Sequence, residues 1–151
     1  MTFDPEHFLN LAKGLVDDSN YDEEARYRTA ISRAYYATHL ISKKKLEDIG
    51  VKFPIEDDKN MGIIHMMVID YLIKRNDPIG RMLKGLRKNR NKADYNLDWK
   101  FKKKGVELLI SEAEVVSCPT MRITIENVFL HKRVPSIMHG MKSIKLLAKK
   151  N

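Results

Sequence analysis

Residues 22–50 read DEEARYRTAISRAYYATHLISKKKLEDIG, and this stretch decides the fold class. Asp22, Glu23 and Glu24 place acids where a helix N-terminus presents the positive end of its dipole. Tyr27, Ile31, Ala34, Thr38 and Ile41 then recur at spacings of three and four, which puts them on one helical face. The pattern runs to Ile49-Gly50 and predicts a helix of roughly 27 residues, the longest in the chain.

Outward from this helix the same period recurs on both sides. Upstream, Asp4-Pro5 is an N-cap followed by proline, and Phe8, Leu11, Ala12, Leu15 and Val16 form a stripe that should end near Asp18-Ser19-Asn20. Downstream, a loop carries Phe53-Pro54 and the acids Glu56, Asp57 and Asp58. A third helix is expected from about Asn60 to Arg75, apolar over most of its girth, and such a helix belongs at the centre. Asp77-Pro78 repeats the opening device and starts a fourth helix, and a fifth is expected from about Trp99 to Val116, before Pro119. Beyond it Met121, Ile123 and Ile125 alternate as in a short strand, a stretch that also reads as a poor helix. Ser136 to about Lys149 is amphipathic, with Ile137, Met141, Ile144 and Ala148 on one stripe. Short connections favour antiparallel neighbours. The expectation is an all-α, up-and-down bundle of about five helices over residues 4–118, with a C-terminal extension over 119–151 packed on the bundle or on a dimer partner.

Composition bounds the function classes. A chain of 151 residues suits one domain, and its single cysteine excludes an internal disulfide. No Cys/His cluster has zinc-ligand spacing, so no metal or cofactor is expected. No apolar run reaches membrane-span length, and the start Met1-Thr2-Phe3-Asp4 lacks the basic region of a signal peptide; a cytoplasmic chain without membrane attachment is expected. The net charge of +8 is unevenly placed: residues 84–104 hold nine basic residues against two acids, whereas residues 1–83 hold 12 against 14. A window with Lys84, Arg87, Lys88 and Lys92 raises the local concentration of a polyanion, RNA included; its bland counterpart is a solvated helix face.

Within that window Arg90 is out of place. With Leu86 at zero and about 100° per residue, Arg90 lies near +40°, inside the stripe formed by Met82, Ile79, Ala93 and Leu83. A guanidinium there needs an acceptor: either Asp94, four residues on, or an anion such as phosphate held at a groove edge or dimer seam. On the long helix Arg28, Ser32, Tyr35 and His39 make a polar seam flanked by Arg33 and Tyr36. Facing the fourth helix it would make an RNA-binding groove; otherwise its tyrosines are ordinary packing residues. His65, among Ile63, Ile64, Met66 and Met67, reads as a core or edge residue, and the methionines as core filler.

The runs Tyr27-Arg28-Thr29-Ala30-Ile31-Ser32-Arg33-Ala34-Tyr35-Tyr36-Ala37 and Leu86-Arg87-Lys88-Asn89-Arg90-Asn91-Lys92-Ala93-Asp94-Tyr95 together resemble a HEPN domain (higher eukaryotes and prokaryotes nucleotide-binding). The resemblance covers about residues 4–118 and implies a helical bundle, usually a homodimer, with paired Arg motifs lining a shared cleft. Many HEPN proteins are metal-independent endoribonucleases of toxin–antitoxin, defence or RNA-processing systems. Arg90 and Asn91 match the first two positions of the family's nuclease motif, but Tyr95 stands where its histidine is common. An unperturbed tyrosine is a poor base at neutral pH. In the catalytic reading Arg90 stabilises the phosphorane, and Tyr95 or His39 shuttles the proton. The other reading is an inactive interaction or regulatory subunit, partnered with an antitoxin or a nucleotidyltransferase.

Overall fold

The computed structural model describes residues 3–55, 60–75 and 77–118, which form five α-helices with no strand among them. They are α1 (Glu6–Asp17), α2 (Glu23–Asp48), α3 (Met61–Lys74), α4 (Pro78–Tyr95) and α5 (Lys103–Ser117). The protein is an all-α helical bundle. The expected extension over 119–151, the loop acids Glu56, Asp57 and Asp58, and His131 and His139 lie outside the described residues.

The helix ends follow local chemistry. Asp4, Asp22 and Asp77 each offer a carboxylate oxygen to an otherwise unpaired N–H at a helix start, at Glu6, Ala25 and Ile79. α2 stops in a Schellman turn: Gly50 adopts φ 90°, its N–H donates to Glu47 O, and the Val51 N–H donates to Leu46 O.

The helix at the centre is α2, which packs against all four others. Its alanines Ala30, Ala34 and Ala37 are fully buried on one face, and side chains this small let a neighbouring helix approach closely there. The core between them is built from Leu9, Ala12 and Val16 of α1, Val68 and Leu72 of α3, Leu83 and Leu86 of α4, and Val106 and Ile110 of α5. This corrects the expectation that α3 is central. α3 packs mainly on α4, and Ile63 and Met66 on its outer side are exposed. High apolar content is matched here by a helix at the edge, because position is decided by how closely neighbours can approach; Met66 is accordingly no core filler.

α3 and α4 meet through Gly80. A Cβ there would lie 2.7 Å from the Ile73 backbone nitrogen and 2.9 Å from Leu72 Cβ, so the crossing depends on a bare Cα. α5 starts four residues later than expected, after a loop in which Arg28 holds the carbonyls of Asn96 and Trp99, as described below.

Candidate functional site

α2 and α4 run beside one another and leave an open cleft of about 270 Å3, lined by Arg28, Thr29, Ser32, Arg33, Tyr36, Arg90 and Asp94. All of these except Arg90 and Asp94 come from successive turns of α2; the other two are one turn apart on α4. Three arginines share the cleft, and each has a different set of partners.

Arg90 has Asp94 as its acceptor and also borders the open cleft. Its Nε lies 2.7 Å from Asp94 Oδ2, so the intrahelical ion pair is made. One terminal nitrogen donates to the Tyr36 hydroxyl at 2.7 Å and the other to Asn91 Oδ1 at 3.2 Å. The guanidinium carbon also lies 5.1 Å from the Tyr36 ring centroid and 5.6 Å from that of Tyr95. Its side chain is 17% exposed and borders the open cleft, so it is neither sealed in nor adrift in bulk water. The approach of Tyr95 to Arg90, awkward on a straight helix, is made where α4 ends: Tyr95 is its last residue.

Arg33 is the arginine of the cleft without a counter-charge among the described residues. Its guanidinium carbon sits 5.0 Å from the Phe8 ring centroid and 5.1 Å from that of Tyr36, and its Nε is buried with no hydrogen-bond partner among the described residues. Tyr36 thus has two guanidiniums, those of Arg33 and Arg90, at 5.1 Å from its ring centroid. Both positive groups face a cleft whose one acid is Asp94.

Arg28, placed by sequence among the RNA contacts, is a structural clamp. Its Nε pairs with Glu24 at 2.8 Å, and its terminal nitrogens donate to the carbonyls of Ala93, Asn96 and Trp99. Ala93 O is one of the carbonyls that the end of α4 leaves without an intrahelical partner, and Asn96 and Trp99 follow the helix, so the guanidinium caps α4 and ties the following loop to α2. With its donors taken up in this way it has none to offer a ligand, which corrects the earlier expectation.

His39 is a second correction. It is buried on the α2 face that meets α3, its ring 3.9 Å from His65 and 5.9 Å from Tyr35, and it does not line the cleft. Burial, followed by the charges of His65, Lys43 and Arg87, presses its pKa down to about 3. A neutral imidazole enclosed there can neither reach nor protonate a group bound near Arg90. Tyr35 belongs to the same interior cluster: its hydroxyl lies 2.7 Å from His65 Nδ1, and burial holds its pKa well above the usual phenol value. Of the two adjacent tyrosines, Tyr35 is packing and Tyr36 belongs to the cleft.

The basic window divides along α4. Lys84 and Lys88 are exposed. Arg87 turns toward α3, where it meets the Met66 sulfur, and does not line the cleft. Lys92 lies 3.7 Å over the Trp99 ring. Sequence reasoning missed the Tyr36 bridge and the Arg28 clamp; the turn-by-turn spacing of Thr29, Ser32, Arg33 and Tyr36 carried the only signal for the first.

No group of three or more His, Cys, Asp or Glu side chains among the described residues could hold a metal ion. No helix among them is long and apolar enough to cross a membrane. Compared with protein-family models, with curated proteins and with solved structures, the chain gives no match.

Proposed function

We propose that this chain is an RNA-binding protein of the HEPN type that holds backbone phosphate in the cleft between α2 and α4. The observation that carries the reading is Arg33, a partly buried guanidinium with no counter-charge among the described residues, which shares the Tyr36 ring and the cleft with Arg90. Two guanidiniums converging on an open cleft match the geometry of phosphate oxygens, and desolvation at the wall strengthens each contact. Exposed Lys84 and Lys88 extend the positive field along α4 and favour a polymer over a lone anion. In this reading the protein works in the cytoplasm as a homodimer, the two clefts adjoining, as the resemblance implies.

Binding is preferred to cleavage on one placement: His39, the imidazole available to the catalytic reading, is packed against α3. Arg33→Ala and Arg90→Ala are each expected to weaken binding of a single-stranded RNA about tenfold and to lower the salt slope by about one phosphate. Affinity and slope left unchanged in both variants would overturn the reading. Cleavage that persists in EDTA and vanishes in Arg90→Ala would replace binding by catalysis. A partner-subunit role without RNA is supported if the wild-type chain fails to bind RNA at low salt.

A further inference from the structure

Beside the cleft, the end of α4 and the loop that follows it expose three large side chains within five residues: Tyr95 is 72% exposed, Leu97 79% and Trp99 45%. A single exposed aromatic residue calls for no explanation. This group differs because the backbone beneath it is fixed. Arg28 holds the carbonyls of Ala93, Asn96 and Trp99, and the Trp99 N–H donates back to the carbonyl and side-chain oxygens of Asn96. The rings are therefore presented by a rigid loop. Each also carries a cation, Lys92 at 3.7 Å on Trp99 and Arg90 at 5.6 Å on Tyr95.

We infer that Tyr95 and Trp99 form a stacking platform for unpaired bases, so that the cleft selects single-stranded over double-stranded nucleic acid. The inference rests on the phosphate reading of the cleft and names the form of its substrate. Flat rings flanked by lysine and arginine present a π-face to a base and positive charge to the phosphates on either side of it, the pairing used in sequence-tolerant single-strand binding. A base in a duplex is stacked on its neighbours and cannot reach such a ring. Charge also argues against a protein partner: exposed Lys100 and Lys102 stand with Lys92 around the loop, and lysine is depleted in protein–protein interface cores.

Trp99 is the chain's single tryptophan, so its intrinsic emission reads the platform directly. The full chain is titrated with a ten-nucleotide uridine oligomer, with an abasic oligomer of the same length, and with a ten-base-pair RNA duplex. The expected result is saturable quenching of the wild type by the uridine oligomer alone and, with the oligomer followed by a labelled end, affinity falling about ten- to a hundredfold in Trp99→Leu and Tyr95→Leu and recovering in Trp99→Phe. Abasic binding, followed by a labelled end, should be insensitive to all three variants, and circular dichroism checks that each remains folded. If uridine and abasic oligomers bind equally, with dependence on Arg33 and Arg90 but none on Trp99, the platform is refuted while the phosphate cleft stands. If neither binds, both readings fall. A Trp99 emission change driven by protein concentration alone would show a second copy covering the loop and would also overturn the inference.

Discussion

Acidification from pH 7 to pH 5 should act on one identifiable residue, His39. Its side chain is enclosed by His65 of α3, Tyr35 and Lys43 of α2 and Arg87 of α4, with no carboxylate among these neighbours to receive a proton's charge. Its pKa in the folded protein is about 3, against 6.5 for the free side chain. The unfolded chain therefore binds more protons between those values, and folding stability must fall as pH drops through that window. Above about pH 6.5 the effect disappears. For one histidine with these two values the loss between pH 7 and pH 5 is about 2 kcal/mol, a large part of the ~5–15 kcal/mol that holds a domain of this size together. His39→Leu removes the titrating group while keeping a side chain that fits an apolar neighbourhood. Urea titrations of both proteins at the two pH values give four midpoints. The wild type should lose about 2 kcal/mol more than the variant on acidification, whatever the variant costs at pH 7. Parallel losses in the two proteins would refute the argument, since they would place the acid sensitivity somewhere other than this pair of imidazoles.

Arg28→Ala removes donors to four backbone carbonyls at once and should destabilise the protein by on the order of 3 kcal/mol, measured by urea unfolding; a loss below about 1 kcal/mol would show that water replaces the clamp. Gly80→Ala should cost about 1–3 kcal/mol, because the new Cβ collides with the Ile73 backbone rather than with a movable side chain, and an unchanged melting temperature would contradict the described α3–α4 crossing. Asp77 caps α4 with one oxygen while its other oxygen is buried without a partner among the described residues, and burial raises its pKa. A carboxylate in that position is stabilised by protonation, so Asp77→Asn, which keeps the capping acceptor without the charge, should be neutral or stabilising at pH 7, whereas Asp77→Ala should cost about 1 kcal/mol; equal loss in both would refute this account. Asp94→Asn should raise affinity for an RNA oligomer about fivefold at low salt, the effect of removing one like charge about 4 Å away in a water-like dielectric, and a fall in affinity would mean that Asp94 orients Arg90 more than it competes for it.

The helices were legible in the sequence because their signals are local. Capping aspartates, the proline after Asp77 and the three-and-four spacing of apolar residues act within a few residues; α1 and α2 begin and end, and α4 begins, close to where those signals put them. The centre of the bundle was not legible. α2 buries Ser32, Thr38, His39 and Ser42 among its apolar residues, which blurs its stripe, while the more apolar α3 lies at the edge. Thr38 shows why the pattern misleads: its hydroxyl donates to the carbonyl of Tyr35 within the helix, so a polar side chain can be buried without an external partner. In the site, the anomaly of Arg90 was visible from angular position alone. The different fates of Arg28, Arg33 and Arg90 were not, since Arg28 finds its acceptors more than sixty residues away in the chain.

That division of labour among three identical side chains bears on how the cleft can work. Arg28 holds the α4 terminus and the following loop against α2, which fixes the spacing between Arg33 on one wall and Arg90 on the other. Arg90 is already paired with Asp94, so an incoming phosphate must displace or share a carboxylate to gain its full charge. Arg33 asks for no such exchange. A phosphate would meet Arg33 first and then compete for Arg90, and the hydroxyl of Tyr36, bonded to Arg90 at 2.7 Å, lies on the boundary between the two steps. Loss of Arg33 should then slow association, while loss of Arg90 should speed dissociation. Stopped-flow binding of an RNA oligomer to the two alanine variants separates these effects, and an identical kinetic signature in both would show that the two guanidiniums grip the phosphate together rather than in turn.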